Sequence, residues 1–450
     1  MKLSDMEMAK RIAQEVDALG GRAYFVGGYV RDLIIGDAGK DIDIEIHGLT
    51  PDELKSVLDS LGERMDIGES FGIFGLHGYS IDIAMPRRES CRGQGHRDFD
   101  VFVDPHIGTL GAAKRRDFTI NAMMQNVLTG EIIDHYGGRD DLKAGIIRHV
   151  DDDSFAEDPL RVLRGAQFAA RFEFRVAEET KALCKKMNLS ALAKERILGE
   201  TQKALLKAKK PSIFFETLRE MEQLELWFPE LSALIGVDQN KKYHTEGDVW
   251  VHTMMVLDEA ARLRDYANNK LGFMLSALCH DFGKATATEI IDGEIHAYGH
   301  EVKGLPLVKS FMRRITNEVD LTKYVLNMTE YHMKPNVLAG VNAPIKSTNK
   351  LFDASVDPEG LICLAIADSL GKSSPREYIS YNDFFRERLA TYREYMARPY
   401  VMGKDLIDQG LTPGKSFSEL LEYAHKLRLA GVDKELALKQ TLALARKKNK

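Results

Sequence analysis

The spacing of apolar and polar positions changes several times along the first 150 residues. Ser4 followed by Glu7 forms a capping box that opens a helical stretch, and Gly20-Gly21 stops it. Arg22-Ala23-Tyr24-Phe25-Val26 predicts a short strand, Gly27-Gly28 a turn, and the next residues a helical turn carrying Arg31 and Asp32. Asp41-Ile42-Asp43-Ile44-Glu45-Ile46 alternates at every position, which predicts a strand with carboxylates on one face and isoleucines on the other. A second strand, Ser80 to Met85, carries Asp82, and residues 86 to 111, rich in Arg, Gly, His and Asp, read as a mobile loop. From about Asp158 the pattern is mainly helical, broken near Asp292-Gly293 by a candidate hairpin. Gly130, Gly137-Gly138 and Asp151-Asp152-Asp153 place the end of a first domain near residue 150. There is no low-complexity segment and no repeat of fixed period.

Composition narrows the class. A chain of 450 residues is long enough for two to four domains, and 44% hydrophobic with 29% charged residues is the balance of an ordinary soluble protein. No apolar run reaches the ~18 residues of a membrane span, so no membrane partner is expected. Met1-Lys2-Leu3-Ser4-Asp5 opens into a polar helical pattern rather than a signal peptide. Cys91, Cys184, Cys279 and Cys363 show no metal-type pairing, which fits a reducing, cytoplasmic setting without disulfides. The net charge of −6 weighs against a nucleic-acid partner only weakly, because local basic patches decide that question. Lys203, Lys207, Lys209 and Lys210, and the terminal Arg446-Lys447-Lys448-Asn449-Lys450, are candidate RNA-phosphate contacts, with a solvated charge run as the plainer reading of each.

Two carboxylates on one strand face, Asp41 and Asp43, suit hard magnesium ions of the kind that neutralise a triphosphate. The Gly27-Gly28 turn ahead of them leads into a helix and offers backbone N–H groups to phosphate, and Arg31 adds a cation one turn later. By themselves these features also describe a solvated strand after an ordinary turn. In sequence, however, Val26-Gly27-Gly28-Tyr29-Val30-Arg31-Asp32 and Asp41-Ile42-Asp43 resemble the head of the class II tRNA nucleotidyltransferase and bacterial poly(A) polymerase family. Further matching motifs follow in order: Arg115-Arg116-Asp117-Phe118-Thr119-Ile120-Asn121-Ala122, Glu157-Asp158-Pro159-Leu160-Arg161-Val162-Leu163-Arg164, and Glu195-Arg196-Ile197 with Glu200. The resemblance implies that Gly28 and Arg31 contact the nucleotide, that Asp41 and Asp43 are catalytic and bind Mg2+, and that Arg116 reaches the triphosphate. Asp82 is a further candidate carboxylate, with a plain strand-end aspartate as the alternative.

Asp158-Pro159 makes a good helix start, with Asp as N-cap and Pro at the first helical position. Arg161, Arg164 and Gln167 then recur every three residues along one face. A carboxylate that accepts from an exocyclic amine, beside a guanidinium that donates to ring acceptors, selects cytosine and adenine over uracil and guanine. A salt-bridged helix surface is the bland reading, and the preceding motifs outweigh it. The resembling family usually has Arg where Gln167 stands, and Gln brings no charge to a triphosphate.

His252, His280-Asp281 and Asp368 occur in the order His, His-Asp, Asp within helical sequence, and imidazole with carboxylate suits a transition metal. His300 and His332 are candidates for phosphate contact or a second metal. Leu278-Cys279-His280-Asp281-Phe282-Gly283-Lys284 resembles the HD phosphohydrolase superfamily. Residues 223 to 370 resemble the HD-bearing bacterial tRNA nucleotidyltransferases, with Trp227-Phe228-Pro229-Glu230-Leu231, Tyr243-His244 and the later Gly403-Lys404-Asp405-Leu406 and Gly410-Leu411-Thr412-Pro413-Gly414 at matching places. That resemblance implies phosphatase and 2′,3′-cyclic phosphodiesterase activity with Ni2+ or Mn2+.

The expectation is thus an α+β protein. A nucleotidyltransferase (polymerase beta-like) head with a small mixed sheet spans 1–150. An all-helical neck at 151–222 carries the base template and RNA contacts, followed by an HD body at 223–375 and a helical, RNA-binding tail at 376–450. By resemblance it adds C, C and A to the tRNA 3′ end from CTP and ATP, as a monomer or homodimer. The HD domain and the loop from Arg87 to Leu110, which by family analogy acts as the lever that switches C to A, favour this over a bacterial poly(A) polymerase. An HD nucleotide hydrolase with an inactive head is the rival from another class. The intact Asp41-x-Asp43 and the order of parts, unlike that of alarmone synthetase-hydrolases, speak against it.

Overall fold

The computed structural model describes residues 3–37, 42–68, 72–91, 99–240, 242, 244–373 and 381–448. Asp41, Tyr243, Asn449, Lys450 and the centre of the 86–111 segment therefore lie outside the described residues. The chain divides into two units, Met1–Ala208 with Ile213–Leu226, and Lys209–Ser212 with Trp227–Lys450. The fold is α+β, a mixed-sheet head followed by helices. No helix among the described residues is long and apolar enough to cross a membrane.

In the first unit the helix Asp5–Ala18 begins at the Ser4/Glu7 capping box and buries Met8, Ala9, Ile12, Ala13 and Val16. The strands are β1 (Arg22–Val26), β2 (Ile42–His47), β3 (Arg64–Gly68), β4 (Ile73–Leu76), β5 (Ile81–Ala84), β6 (Arg87–Cys91), β7 (Phe99–Val103), β8 (Met124–Asn126) and β9 (Ile132–Ile133). Seven of them form one sheet in the order β3-β4-β5-β2-β1-β8-β9, antiparallel except for β2 against β5. The alternation read along β2 holds, since Ile42, Ile44 and Ile46 enter the core. Instead of a plain loop, residues 86 to 111 contain β6 and β7 paired antiparallel, then the helix Gly108–Lys114. The aromatic and β-branched positions Phe99, Val101, Phe102 and Val103 favour a strand, a signal diluted by the polar residues around them.

Beyond the sheet, β10 (Ile146–Ile147) pairs in parallel with β11 (Arg175–Val176), bracketing the helix Leu160–Phe172, which packs on the helix Lys194–Lys207. Phe118 meets Phe155 and Phe168 edge-on, with ring centroids 5.6 and 5.8 Å apart. Gly165 makes room for this, because a Cβ there would stand 3.2 Å from the Phe118 ring.

Among its described residues, the strands of the otherwise helical second unit are the hairpin of β12 (Glu289–Ile291) and β13 (Glu294–His296). Its turn residues Asp292 and Gly293 have φ of 51° and 81°, the positive pair a tight hairpin turn requires. The helix Lys270–Cys279 is apolar all round and fully buried from Gly272 onward, so it forms the axis of the unit. Around it pack the helices Val249–Leu263, Val319–Tyr331 and Pro358–Leu370. The tail helices Gly403–Asp408, Lys415–Leu429 and Lys434–Lys448 gather a small core of their own around Leu406, Leu420, Ala424 and Ala437.

At the end of the axial helix two backbones approach closely. A Cβ on Gly283 would lie 2.0 Å from the His300 carbonyl oxygen and 2.8 Å from the Gly304 nitrogen. Its φ of −65° suits any residue, so the constraint is space alone. Gly283→Ala should therefore destabilise this unit by about 1–3 kcal/mol through overpacking. Both tryptophans, Trp227 and Trp250, belong to this unit. Urea unfolding followed by tryptophan fluorescence should show a lowered midpoint, and an unchanged one would mean that the two backbones part easily.

Candidate active sites

In the first unit, β2 and β5 lie parallel with Asp43 directly beside Asp82, so the two side chains share a face. The Gly27 turn stands over them. Its φ is +64°, and a Cβ there would be 3.8 Å from Asp43 Oδ2 and 3.6 Å from Arg116 Nη1. Asp43, Asp82, Arg116 and the turn leading into the helix Gly28–Ile35 thus converge, while Asp41 lies outside the described residues.

Glu45, the third carboxylate on the β2 face, was not singled out in the sequence, although the alternation contained it. It is fully buried, with Arg116 Nη2 3.0 Å and Arg115 Nη2 3.5 Å from Oε2, and His47 Nε2 2.9 Å from Oε1. Burial alone would push its pKa up; the His47 hydrogen bond and the two guanidinium charges hold it down at about 2. Arg116 is therefore held over the Gly27 turn by a buried anion.

A second network joins the motifs. Arg31 is 3% exposed and donates from Nε to Asp32 and from Nη1 to Asn121 Oδ1 at 2.6 Å. Asn121 Nδ2 donates to Asp117 Oδ1 at 3.0 Å, and Asp117 Oδ2 accepts from Arg164 Nε at 2.7 Å. The Arg31 and Arg164 guanidinium carbons lie 5.3 and 5.2 Å from the Phe168 ring centre. Arg31 thus braces the turn from inside.

Ahead of the helix Leu160–Phe172, the Asp158 carboxylate accepts from the Leu160 N–H, but the cap position falls on Pro159, one residue later than the sequence suggested. Arg196 Nη2 donates to Asp158 Oδ2 at 3.0 Å, while Arg161 donates to the Ser154 and Arg115 carbonyls at 2.6 and 2.8 Å. Gln167 is 2% exposed, and its Nε2 has no hydrogen-bond partner among the described residues.

In the second unit, His280 and Asp281 follow the C-terminus of the axial helix, His332 follows that of Val319–Tyr331, and Asp368 lies in the last turn of Pro358–Leu370. Three helix C-termini therefore turn their partial negative charge towards one place, which favours a cation. His252 and His300 come from the first turns of Val249–Leu263 and His300–Lys303.

His280 Nδ1 faces the Ala277 carbonyl at 2.8 Å, His300 Nδ1 that of Ala297 at 2.8 Å, and His332 Nδ1 that of Thr329 at 2.7 Å. His252 Nδ1 lies 3.2 Å from both the Gly371 carbonyl and Glu246 Oε1. An oxygen that can only accept fixes a proton on Nδ1, so the neutral form of each ring turns its Nε2 lone pair inward. The four Nε2 atoms meet at Asp281, whose Oδ2 is 3.2 Å from His280 Nε2 and 3.5 Å from that of His252, and whose Oδ1 is 3.1 and 3.9 Å from those of His300 and His332. Asp368 Oδ1 stands 3.1 Å from His252 Nε2. Lys284 Nζ is 2.7 Å from Asp281 Oδ2, an ion pair without hydrogen-bond alignment. Burial, with the nearby His280, holds His332 down at about 3, so it stays a neutral imidazole.

Four inward lone pairs around one shared carboxylate suit divalent ions, one on each side of Asp281. Glu246, missed in the sequence, orients His252 and also takes the His244 ring at 2.8 Å. Only its spacing from His244 and His252 hinted at it.

Comparison with known proteins agrees with this layout. The Poly A polymerase head domain matches residues 23–148, the probable RNA and SrmB-binding site of polymerase A residues 173–235, and the HD domain residues 249–372. The Multifunctional CCA protein of Pasteurella multocida (strain Pm70) is 37% identical over 404 residues, 86% of this chain and 92% of that protein. That of Ralstonia nicotianae is 38% identical over 320 residues, 69% and 71% of the two chains. Among solved structures, the Bacillus stearothermophilus CCA-adding enzyme in complex with CTP aligns over 100% of this chain and 99% of its own, with TM-score 0.65 and 20% identity. A Thermotoga maritima CCA-adding enzyme complexed with tRNA aligns over 98% and 95%, with TM-score 0.63 and 23% identity.

Glu45→Gln should cost the first unit about 3 kcal/mol at neutral pH, the equivalent of its depressed pKa. Because the folded pKa lies below the unfolded one, this stabilisation is complete above about pH 4.5 and fades as pH falls towards 2. The difference between variant and wild type in the urea transition read by far-UV circular dichroism, but absent from tryptophan fluorescence, should shrink over that window. A constant difference would mean that Glu45 is held by shape and not by charge.

Proposed function

The chain belongs to the class II CCA-adding enzyme family whose members carry an HD domain, and from that premise we propose that it adds C, C and A to the 3′ end of tRNA, using CTP and ATP without a nucleic-acid template. It is a nucleotidyltransferase; the meeting of Asp43 and Arg116 at the Gly27 turn, with Asp82 beside Asp43, supports the transfer chemistry, and the observation that carries the finer reading is the HD domain behind this head, shared with Multifunctional CCA proteins. The carboxylate pair fits magnesium, with Asp41 the further ligand on the same strand by sequence. Magnesium, when bound, neutralises triphosphate charge and polarises the attacking hydroxyl. The chain's own residues do the placing. Gly28, with no side chain at the start of its helix, offers N–H groups to phosphate, Arg31 braces that turn, and Arg116 points its guanidinium at the same space.

Asp158 and Arg161 read the base. A carboxylate accepts from the exocyclic amine of a base and a guanidinium donates to its ring acceptors. Arg164, paired with Asp117, holds the reading helix against the head. Gln167 is buried, which supports a packing role there over contact with a triphosphate. The helices beyond, with the basic runs at Lys203–Lys210 and Arg446–Lys448, are the RNA-binding surfaces.

The second site is a metal-dependent phosphohydrolase for phosphate esters and 2′,3′-cyclic phosphates. When bound, a divalent ion such as Ni2+ or Mn2+ polarises the phosphate and lowers the pKa of a water. His252, His280, Asp281 and Asp368 would hold one ion and Asp281, His300 and His332 a second, while Lys284 and Lys372 bring cations to the phosphate.

Three outcomes test this reading. Asp43→Ala should abolish incorporation of labelled CMP and AMP into tRNA in magnesium, with the circular dichroism spectrum unchanged; near wild-type incorporation would remove the catalytic strand. Asp158→Ala and Arg161→Ala should narrow the preference for CTP and ATP over UTP and GTP by about ten- to hundredfold, the worth of one lost discriminating hydrogen bond. Slower addition with the same preference would reduce this helix to a support. His280→Ala should remove hydrolysis of p-nitrophenyl phosphate and 2′,3′-cyclic AMP in nickel, manganese or magnesium while nucleotide addition continues. Loss of both together would contradict two separate sites.

A further inference from the structure

Arg115 and Arg116 are neighbours in the chain, and both guanidinium groups end at one carboxylate of the β2 strand. Arg116 Nη2 lies 3.0 Å and Arg115 Nη2 3.5 Å from Glu45 Oε2, across 71 and 70 residues. The other oxygen, Oε1, takes His47 Nε2 at 2.9 Å, so the carboxylate is held from both sides. The Tyr24 ring meets His47 edge-on with centroids 5.3 Å apart and keeps that imidazole in place. Arg161 donates to the Arg115 carbonyl at 2.8 Å, which fixes the backbone of the arginine pair as well. The burial is one-sided: the Glu45 side chain is 1% exposed and that of Arg116 26%. Glu45 takes Nη2, while the nitrogen beside the Gly27 turn, 3.6 Å from where a Cβ would stand, is Nη1.

Resting on the reading of Arg116 as a triphosphate contact, we infer that Glu45 is a positioning residue for nucleotide binding, one that fixes one edge of the Arg116 guanidinium and so presents the other to the phosphates. A guanidinium is a planar fork, and an anion on one edge leaves N–H groups of another edge free for phosphate oxygens. A long arginine side chain loses much rotamer freedom when it is ordered. Glu45 imposes that order before the nucleotide arrives, so less of the binding energy is lost on it. The carboxylate also works the other way, because a negative charge near the site repels a triphosphate. Two features decide for positioning. Glu45 is buried behind the arginine, and it occupies the nitrogen that does not face the turn. Both CTP and ATP carry the same triphosphate, so the effect belongs to binding and not to the choice of base.

The test measures kcat and KM for CTP and for ATP in magnesium with tRNA transcripts, in wild type, Glu45→Gln, Arg116→Gln and the double variant. Glu45→Gln should raise both KM values about ten- to hundredfold, the range for one misplaced charge-assisted contact, with kcat within about twofold. Inhibition by inorganic tripolyphosphate should weaken by the same factor, and inhibition by cytidine should stay as it is. In the double variant the Glu45 change should add little to Arg116→Gln, because it acts through that side chain. Glu45→Asp keeps the charge but stops one methylene short, so it should show the same split at smaller size, and it serves where the Gln variant does not fold. A KM that stays or falls in both Glu45 variants, an equal loss of cytidine inhibition, or full additivity with Arg116→Gln would overturn the inference. An unchanged KM in Arg116→Gln would instead remove the reading of Arg116, and the inference with it.

Discussion

Taking a carboxylate out of water is the constraint around which both units are built. An isolated buried anion costs several kcal/mol even after relaxation, so it persists only where partners surround it. Asp281 is 1% exposed, and its partners come from four different helical segments and from Lys284. The helices of the second unit therefore pack to a geometry set by one side chain, and the core that stabilises the unit is the same object that positions the ligand set. Gly283 belongs to this arrangement, because only a residue without Cβ lets the His300 segment close against the Asp281 turn.

The first unit repeats the device with different chemistry. Glu45 draws in two arginines and a histidine, and Asp117 draws in Asn121 and Arg164. Through Asn121 the second cluster reaches Arg31, so the Gly-Gly turn, the Arg115–Ala122 segment and the Leu160–Phe172 helix are held by one hydrogen-bonded chain. Such buried charge-paired networks fix orientation more than they add net stability. Two guanidinium groups, Arg31 and Arg164, close on Phe168, which ties the network to the apolar core. What makes a site of these scattered residues is shared burial of charge.

That division explains what could be read in the sequence. The β2 strand, the Ser4 capping box and the Asp292-Gly293 turn were legible because each depends on neighbours within a few positions. The His280-Asp281 pair was legible because its chemistry is rare in an apolar helix. Asp43 and Glu45, by contrast, look equivalent along the strand. Only Arg115 and Arg116, seventy residues later, bury one and leave the other facing the Gly27 turn. The side-chain partners of Arg31 were only partly legible, since it binds its neighbour Asp32 but also Asn121, which lies 90 residues away. The β6–β7 pair was hidden for a different reason, since polar residues around a short aromatic and β-branched run dilute its periodicity.

The central claim is that the head builds a defined end and stops. Sequencing the 3′ ends of tRNA transcripts that lack CCA, after incubation of the wild-type protein with magnesium and all four nucleotides together, tests it most directly. The account predicts C, C and A added in that order, completion of transcripts that end in C or CC, and no growth of those that already end in CCA. Runs of A on any of these ends, or ends left as supplied, would contradict it.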